Sequence, residues 1–412
     1  MKNKFLQEMS SRGYLSQCTD LEKLEQICDK SSISAYIGFD CTASSLHVGS
    51  LLQIMVLKLL QKFGHRPIVL LGGGTTLIGD PSGKDSTRKI LSQKEIVKNI
   101  ISIKRVFSKI LDSSDKNTKP IFVDNAKWLT KLNYVKFLRE IGSHFTINKM
   151  LTFDSVKLRL EREQSLSYME FNYMILQAYD FYQLFKKKNC ILQIGGSDQW
   201  GNIVNGVDLI RRLTQKESFG LTTPLITLAS GLKMGKTEKG AVWLNENLFS
   251  SYDYWQFWRN TDDRDVKRFL NFFTELKTDE INNMCKKESN INNLKIILAN
   301  EATKILHGEI ASKRAYATAK ETFIDGGSGD ELPEIKVNSN KVRNGLKLIE
   351  FLSSNKIFSS KSEVRRAIEN KGLKINNLTV NDPKKLIGLE DFKDKTLKIS
   401  FGKKKHYLIK II

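Results

Sequence analysis

Residues 35–64 read AYIGFDCTASSLHVGSLLQIMVLKLLQKFG. The opening AYIGF is a short apolar run of strand length, while 48–64 carries apolar residues on every face of a helix and so cannot face water. A buried strand feeding a buried helix is the first half of a crossover unit, and the same alternation recurs. Apolar runs follow at 67–73 (PIVLLGG), 119–125 (KPIFVDN) and 190–196 (CILQIGG), each separated from the next by enough chain for a helical crossover. The pattern predicts an α/β fold with a doubly wound, Rossmann-like parallel sheet, with PLITL at 224–228 as its last strand. This first domain is expected to span 1–228, with a helical insertion at about 127–189.

From about 245 the period turns helical, as in FWRNTDDRDVKRFLNFFTEL and NLKIILANEATKILHG, which predicts a second, helical domain over 229–325 together with the loop that precedes it. The Gly-, Ser- and acid-rich stretch GGSGDELPEIKVNSN at 326–340 reads as a linker. Beyond it, residues 341–412 contain 18 Lys and Arg against 7 Asp and Glu, which puts about half of the chain's net charge of +21 into about a sixth of its length. Because LKLIEFLSS, VRRAI, LKI and HYLIKII supply apolar residues, this tail should fold as a small α+β domain on its own core. A folded basic module suggests a nucleic-acid partner, with a solvated charged face as the alternative. Ser362 is a candidate cap for a helix presenting Arg365 and Arg366, and Lys403, Lys404 and Lys405 form a second cluster.

The 412-residue chain, 40% apolar and 27% charged, is too long for one small module and too apolar for a disordered protein. Its five cysteines form no CxxC pair and no Cys/His cluster with zinc spacing, so no zinc site is expected and the thiols suit a reducing compartment. With no signal-like start and no run of about 18 apolar residues, the expectation is a cytoplasmic protein with no membrane partner.

Two loops carry the chemistry. After the first strand, Thr42 and Ser45 offer capping hydroxyls, and His47 and Gly49 open the buried helix, a start whose free N–H groups favour an anion. After the expected last strand, GLKMGKTEKG at 231–240 offers Lys233, Lys236 and Thr237 on a glycine-bearing loop suited to polyphosphate. Between them, GGGTTLIGDPSGKDSTR puts Asp80, Lys84 and Arg88 beyond a strand's carboxyl end. Asp85 after Gly83-Lys84 excludes a Walker loop, and Leu77 excludes the dinucleotide fingerprint. Tyr173, Gln177 and Asp180 fall on one helix face, which serves either as core or, given its polar residues, as a pocket wall.

HVGS after the first strand and KMGKT after the last resemble the HIGH and KMSKS signatures of class I aminoacyl-tRNA synthetases. Within that class YIGFDCTASSLHVG, IGDPSGK, VDN, YMILQAYDF and QIGGSDQWGN look like the bacterial-type tyrosyl enzymes over nearly the whole chain, and SSKSEVRRAIENKGLKINN is similar to their closing S4-like RNA-binding domain. The resemblance implies tyrosine activation with ATP and transfer to tRNA(Tyr), magnesium accompanying ATP, and a homodimer. It assigns Tyr36 and Asp180 to the tyrosine hydroxyl, Tyr173 and Gln177 to its amino group with help from Asp80, and Gln199 to the neighbourhood of its carboxylate. Asp40, Gly195 and Asp198 would lie near the carboxylate or the ATP ribose. Thr42 and His47 would take the γ-phosphate, with Lys84, Arg88, Lys233, Lys236 and Thr237 on the departing pyrophosphate. The chain departs from the pattern at Ser50, in place of the second His of HIGH, at Gly235, in place of the first Ser of KMSKS, and at Cys41 and Ser44, in place of Pro and Asp. Gly49 and Ser50 would meet ATP, and the short Ser50 hydroxyl is the departure that bears on ATP affinity. Two rivals are a tryptophanyl enzyme of the same class, disfavoured because an indole N–H can only donate, and a synthetase-like RNA-binding protein without catalysis, disfavoured by the retained His47, Lys233 and Lys236.

Overall fold

The computed structural model describes residues 1–81, 91–231, 234–237, 240–323, 332–343, 345–402 and 405–412. They fall into two compact units, one of residues 1–250 with 256–307 and one of residues 251–255 with 308–412.

The first unit is built on a six-stranded sheet: β1 Gln17–Cys18, β2 Ser34–Asp40, β3 Arg66–Gly72, β4 Ile121–Asp124, β5 Cys190–Gly196 and β6 Phe219–Thr223. The spatial order is β1-β6-β5-β2-β3-β4, with β1 antiparallel at the edge and the other five parallel. The order reverses between β2 and β5, and in a doubly wound sheet a ligand crevice opens at the carboxyl ends of the strands flanking that reversal. The expected strands at 35–39, 67–73, 119–125 and 190–196 are present. The last one is displaced: the strand is Phe219–Thr223, all five residues buried, and Pro224, which has no N–H to give to a ladder, ends it where PLITL was expected to begin.

The helix Leu51–Lys62 buries Leu51, Leu52, Ile54, Met55, Val56, Leu57, Leu59 and Leu60. Its all-round apolarity is explained by what surrounds it: the sheet on one side and the helix Val266–Phe273 on another. The latter, with Phe269, Phe273 and the nearby Trp258 all fully buried, therefore packs into the same unit as the sheet, as does the helix Ile291–His307. The expected helical content after 245 is found, and its larger part shares one body with the nucleotide-type sheet.

The second unit carries a five-stranded sheet that includes Leu373–Ile375, Thr396–Phe401 and Lys405–Ile411, over a core of Val342, Leu348, Leu352, Val364, Ile368, Leu397 and Ile409. Its edge strand, Glu334–Val337, runs parallel to Lys405–Ile411 and lies inside the stretch read as a linker. Ile335 and Val337 alternate toward the core there, a two-residue period too short to stand out against the surrounding polar sequence. The helix Lys361–Glu369 is capped by Ser360, whose Oγ accepts from the Glu363 N–H at 3.2 Å, rather than by Ser362, two residues further in. Arg365 and Arg366 are both exposed on it. Among the described residues no helix is long and apolar enough to cross a membrane.

Candidate active site

A cavity of about 320 Å³ opens at the carboxyl ends of β2 and β5, where the sheet order reverses. Eleven of the residues singled out in the sequence line it: Tyr36, Asp40, Gly49, Ser50, Asp80, Tyr173, Gln177, Asp180, Gly195, Asp198 and Gln199. Thr42 is exposed and His47 half-buried; they stand beside the wall rather than in it. Lys84, Arg88, Lys233, Lys403 and Lys404 lie outside the described residues. For Lys236, Thr237 and Lys405 the backbone alone is described, the first two forming a short strand paired with Gly240–Ala241.

At one end of the cavity Asp180, 1% exposed, is held from both sides. Its Oδ1 accepts from the Trp128 indole N–H at 2.7 Å and its Oδ2 from Asn125 Nδ2 at 2.8 Å. Burial, reinforced by the charges of Asp40 and Asp124 and opposed by those two hydrogen bonds, pushes its carboxyl up to about 7. The buried hydroxyl of Tyr36 has no hydrogen-bond partner among the described residues. Burial, with the Asp180 charge adding to it, raises that phenol well above its ordinary range, so the group is a neutral donor and acceptor at pH 7.

Asn125 extends the network. It accepts from the Gly74 N–H at 2.7 Å and also donates to Thr75 Oγ1 at 3.1 Å, and that hydroxyl donates to Asp40 Oδ1 at 2.8 Å. Asp40 Oδ2 accepts from the Tyr173 hydroxyl at 3.2 Å, so Asp180 and Asp40 belong to one fixed chain of polar groups. Gly72 permits this crowding, because a Cβ there would lie 2.3 Å from Asp40 Oδ1 and 2.5 Å from Thr75 Oγ1. A second chain crosses the cavity. Asn202 Nδ2 donates to Gln177 Oε1 at 3.1 Å and to Gln199 Oε1 at 3.0 Å, and Gln199 Nε2 donates to Asp80 Oδ2 at 3.1 Å.

The two signature loops meet beside this cavity. Val48 N–H donates to the Val242 carbonyl at 2.9 Å, Leu244 N–H to the Leu46 carbonyl at 2.9 Å, and Val242 N–H to the Gly235 carbonyl at 3.1 Å. The helix start is capped differently from expectation. His47 Nδ1 accepts from the Gly49 N–H at 3.0 Å, which leaves the proton of the neutral ring on Nε2, while the Ser45 hydroxyl donates to the Leu46 carbonyl. Gly235 takes φ +129°, and a Cβ there would lie 2.8 Å from His47 Nδ1. A serine would collide with the imidazole, which accounts for glycine at that place in the loop.

Sequence reading missed Trp128, Thr75, Asn125 and Asn202. Asn125 and Asn202 sit inside motifs that were visible, at the ends of VDN and QIGGSDQWGN. Which helix their amides reach depends on strand order, and Trp128 carried no signal of its own.

The family described as class I tRNA synthetases (W and Y) matches residues 29–324, and the tyrosine–tRNA ligase SYY-like C-terminal domain matches residues 324–409. A protein of Pelagibacter ubique named tyrosine–tRNA ligase is 61% identical over the full length of both chains. One of the same name from Zymomonas mobilis is 54% identical over 99% of this chain and 98% of its own. The chain belongs to the bacterial tyrosyl-tRNA synthetases. Of solved structures, a C-terminally truncated mitochondrial tyrosyl-tRNA synthetase of Aspergillus nidulans superposes with a TM-score of 0.70 at 28% identity, covering 78% of this chain and 95% of its own. Since the first matching family includes the tryptophan branch, it is the C-terminal domain and the full-length relatives that put this member on the tyrosine side.

Proposed function

We propose that the chain is a tyrosine–tRNA ligase in which Tyr36 and Asp180 read the substrate phenol. The carrying observation is the buried Tyr36 hydroxyl, without a partner among the described residues, beside a carboxylate clamped by Trp128 and Asn125. A phenol O–H between them donates to Asp180 and accepts from Tyr36. Phenylalanine would leave the buried Tyr36 hydroxyl unpaired and give Asp180 no donor beyond Trp128 and Asn125, and an indole N–H could donate to Asp180 but offers Tyr36 no acceptor. Tyr173, Gln177 and Asp80 hold the ammonium group, with Gln199 toward the carboxylate. The ammonium donates to the Tyr173 hydroxyl oxygen, which can accept while still donating to Asp40, and to the Asp80 carboxylate, which can accept from it as well as from Gln199.

ATP lies along Gly49, Ser50, Gly195 and Asp198, with Asp40 at the junction with tyrosine. A carboxylate oxygen of tyrosine attacks the α-phosphorus as the bond to the bridging oxygen of pyrophosphate breaks, and that oxygen takes the electron pair. The enzyme's part is positioning and charge stabilisation. His47, donating from Nε2, and Thr42 act on the γ-phosphate. Lys84, Arg88, Lys233, Lys236 and Thr237 act on the leaving pyrophosphate, with magnesium arriving on the ATP phosphates. A hydroxyl of the tRNA terminal ribose then attacks the adenylate's carbonyl carbon and AMP leaves.

The basic second unit, through Arg365, Arg366 and Lys403 to Lys405, grips tRNA phosphates. A homodimer is proposed from the insertion, where Val135 (73% exposed), Tyr134, Ile147 and Tyr168 leave apolar surface open to solvent, Tyr134 and Tyr168 joined through their hydroxyls at 2.8 Å. Charging of bulk tRNA with labelled tyrosine tests the reading. Labelled aminoacyl-tRNA is expected with tyrosine, and its absence alongside a folded protein would reject it.

A further inference from the structure

The segment that leads from the end of β6 to the second signature loop is held from outside by an ion pair. Asp265 and Arg268 stand at the start of the helix Val266–Phe273, and neither belongs to a signature motif. Asp265 is buried; its Oδ2 accepts from the Ala229 N–H at 2.7 Å and its Oδ1 from Arg268 Nη2 at 2.6 Å. Arg268 Nη2 also donates to the Thr227 carbonyl, so both protons of that nitrogen are placed. The guanidinium rests 5.2 Å over the Phe269 ring. One pair thus takes a carbonyl and an N–H two residues apart on the same stretch of chain.

Asp265 is the N-cap residue of its helix, where a carboxylate ordinarily accepts from the helix's own first N–H groups. It makes no such bond, and its side chain turns to Ala229 instead. A carboxylate diverted in this way fixes the other segment at a cost to its own helix. What that segment carries is the signature loop. Met234 N–H donates to the carbonyl of Ile226, the residue before Thr227, at 3.0 Å, and Ile226 lines the cavity. Met234 in turn lies against the first signature, since a Cβ at Gly49 would stand 2.7 Å from the Met234 carbonyl oxygen, and Gly235 lies against His47. The placing of 226–229 therefore sets where Met234 and Gly235 stand, and from what point the chain enters Lys236.

We propose that Asp265 and Arg268 are positioning residues for adenylate formation, which fix the arm 226–229 and through it the point from which Lys236 and Thr237 act on the leaving pyrophosphate. The proposal rests on the reading of that loop as the pyrophosphate site. Neither residue touches substrate, so their effect passes through the loop. A misplacement of about 1 Å at a group that stabilises the transition state is enough to cost on the order of 10²-fold in rate. Tyrosine binding should not feel it, because the residues that hold tyrosine stand on other elements.

Single-turnover adenylate formation on the full chain at saturating tyrosine and ATP, with equilibrium tyrosine binding measured beside it, tests the proposal. Arg268→Met keeps an apolar stem over Phe269 and removes both donated bonds. It should slow adenylate formation by on the order of tenfold to 10²-fold and leave tyrosine affinity unchanged. Arg268→Lys, which keeps the charge and can still donate to Asp265 and to the Thr227 carbonyl, should recover most of the rate. Pairing with Lys236→Ala separates positioning from a general loosening of the fold. A brace that acts through the loop has less to lose once the loop's lysine is gone, so Arg268→Met should cost less in that background than in wild type, by about threefold or more. Losses that simply multiply overturn the proposal. So does an unchanged rate in Arg268→Met, a tyrosine affinity that falls as far as the rate, or an Arg268→Lys as slow as Arg268→Met. Should Arg268→Met not fold, Asp265→Asn, which turns one of the two acceptors into a donor, is read in the same way. A Lys236→Ala chain as fast as wild type is a different result, and it rejects the pyrophosphate reading of the loop together with the proposal built on it.

Discussion

Replacing Trp128 by Phe keeps an aromatic ring under Lys187, whose Nζ lies 5.4 Å from the indole ring, and removes one thing, the N–H that reaches Asp180 Oδ1 at 2.7 Å. A hydrogen bond to a charged, buried acceptor is worth about 1.5 to 3 kcal/mol. Because that bond favours the ionised form, its loss raises the Asp180 carboxyl from about 7; at 1.36 kcal/mol per pH unit, the new value falls at roughly 8 to 9. Tyrosine binding needs the carboxylate as acceptor, so kcat/KM for tyrosine rises with pH through the carboxyl's titration. In the wild type that acid limb should lie near 7, and in Trp128→Phe it should move up by one to two pH units, on the order of the shift just derived. At pH 7.5 this leaves roughly a tenth of the variant's sites ionised, against about three quarters of the wild type's. The assay is pyrophosphate exchange from pH 6 to 9.5 with tyrosine limiting, repeated with ATP limiting at saturating tyrosine. An unmoved acid limb, or an ATP KM that rises in step with that for tyrosine, would refute the clamp on Asp180.

Asp180→Asn should raise the tyrosine KM with the ATP KM nearly unchanged, since the amide turns one acceptor into a donor facing another donor. Its stability should also respond differently to pH. The wild-type carboxyl binds its proton more tightly folded than unfolded, so wild-type stability falls as pH rises from about 4 to about 7, by at most about 4 kcal/mol, and the full cost is present above pH 7. The variant lacks that slope, and denaturant titrations at pH 5 and pH 8 should show the difference between the two proteins shift in the variant's favour at the higher pH. Lys233→Ala and Lys236→Ala should each slow adenylate formation by on the order of 10² to 10³ while equilibrium tyrosine binding is retained; equal loss of binding would point to misfolding. Removing the chain after Phe323 should leave pyrophosphate exchange largely intact, sharply reduce tRNA charging, and flatten the salt dependence of tRNA binding from a slope of roughly 0.7 to 0.9 per neutralised phosphate. Undiminished charging would make the basic unit a mere solubilising surface. The cut belongs upstream of Leu332, because Glu334–Val337 is a strand of the second unit's sheet.

The parallel sheet was legible because β2, β3 and β5 are mostly buried and read as continuous apolar runs, and β4, half-buried at the edge, still carries Ile121, Phe122 and Val123 in a row. The displaced last strand was not, since PLITL is as apolar as FGLTT and only the missing proline N–H separates them. The strand within 334–337 was hidden for the opposite reason: two apolar residues among polar ones acquire meaning only once Lys405–Ile411 lies beside them. At the site, the residues that line the cavity from a single helix, Tyr173, Gln177 and Asp180, could be grouped from their spacing. Asn125 and Trp128 could not, because they follow β4, three places from β5 in the sheet, and their approach to Asp180 is a product of the winding. The glycine at 235 looked like a departure from a signature; the imidazole of His47 against its backbone gives it a reason.

The central claim, that this cavity joins tyrosine to ATP, is tested most directly by ATP–pyrophosphate exchange with each of the twenty amino acids in turn. Tyrosine alone should support exchange above background, with phenylalanine and tryptophan at background because each leaves the buried Tyr36 hydroxyl unpaired. Exchange driven by tryptophan, or by none of the twenty with folded protein, would contradict the account.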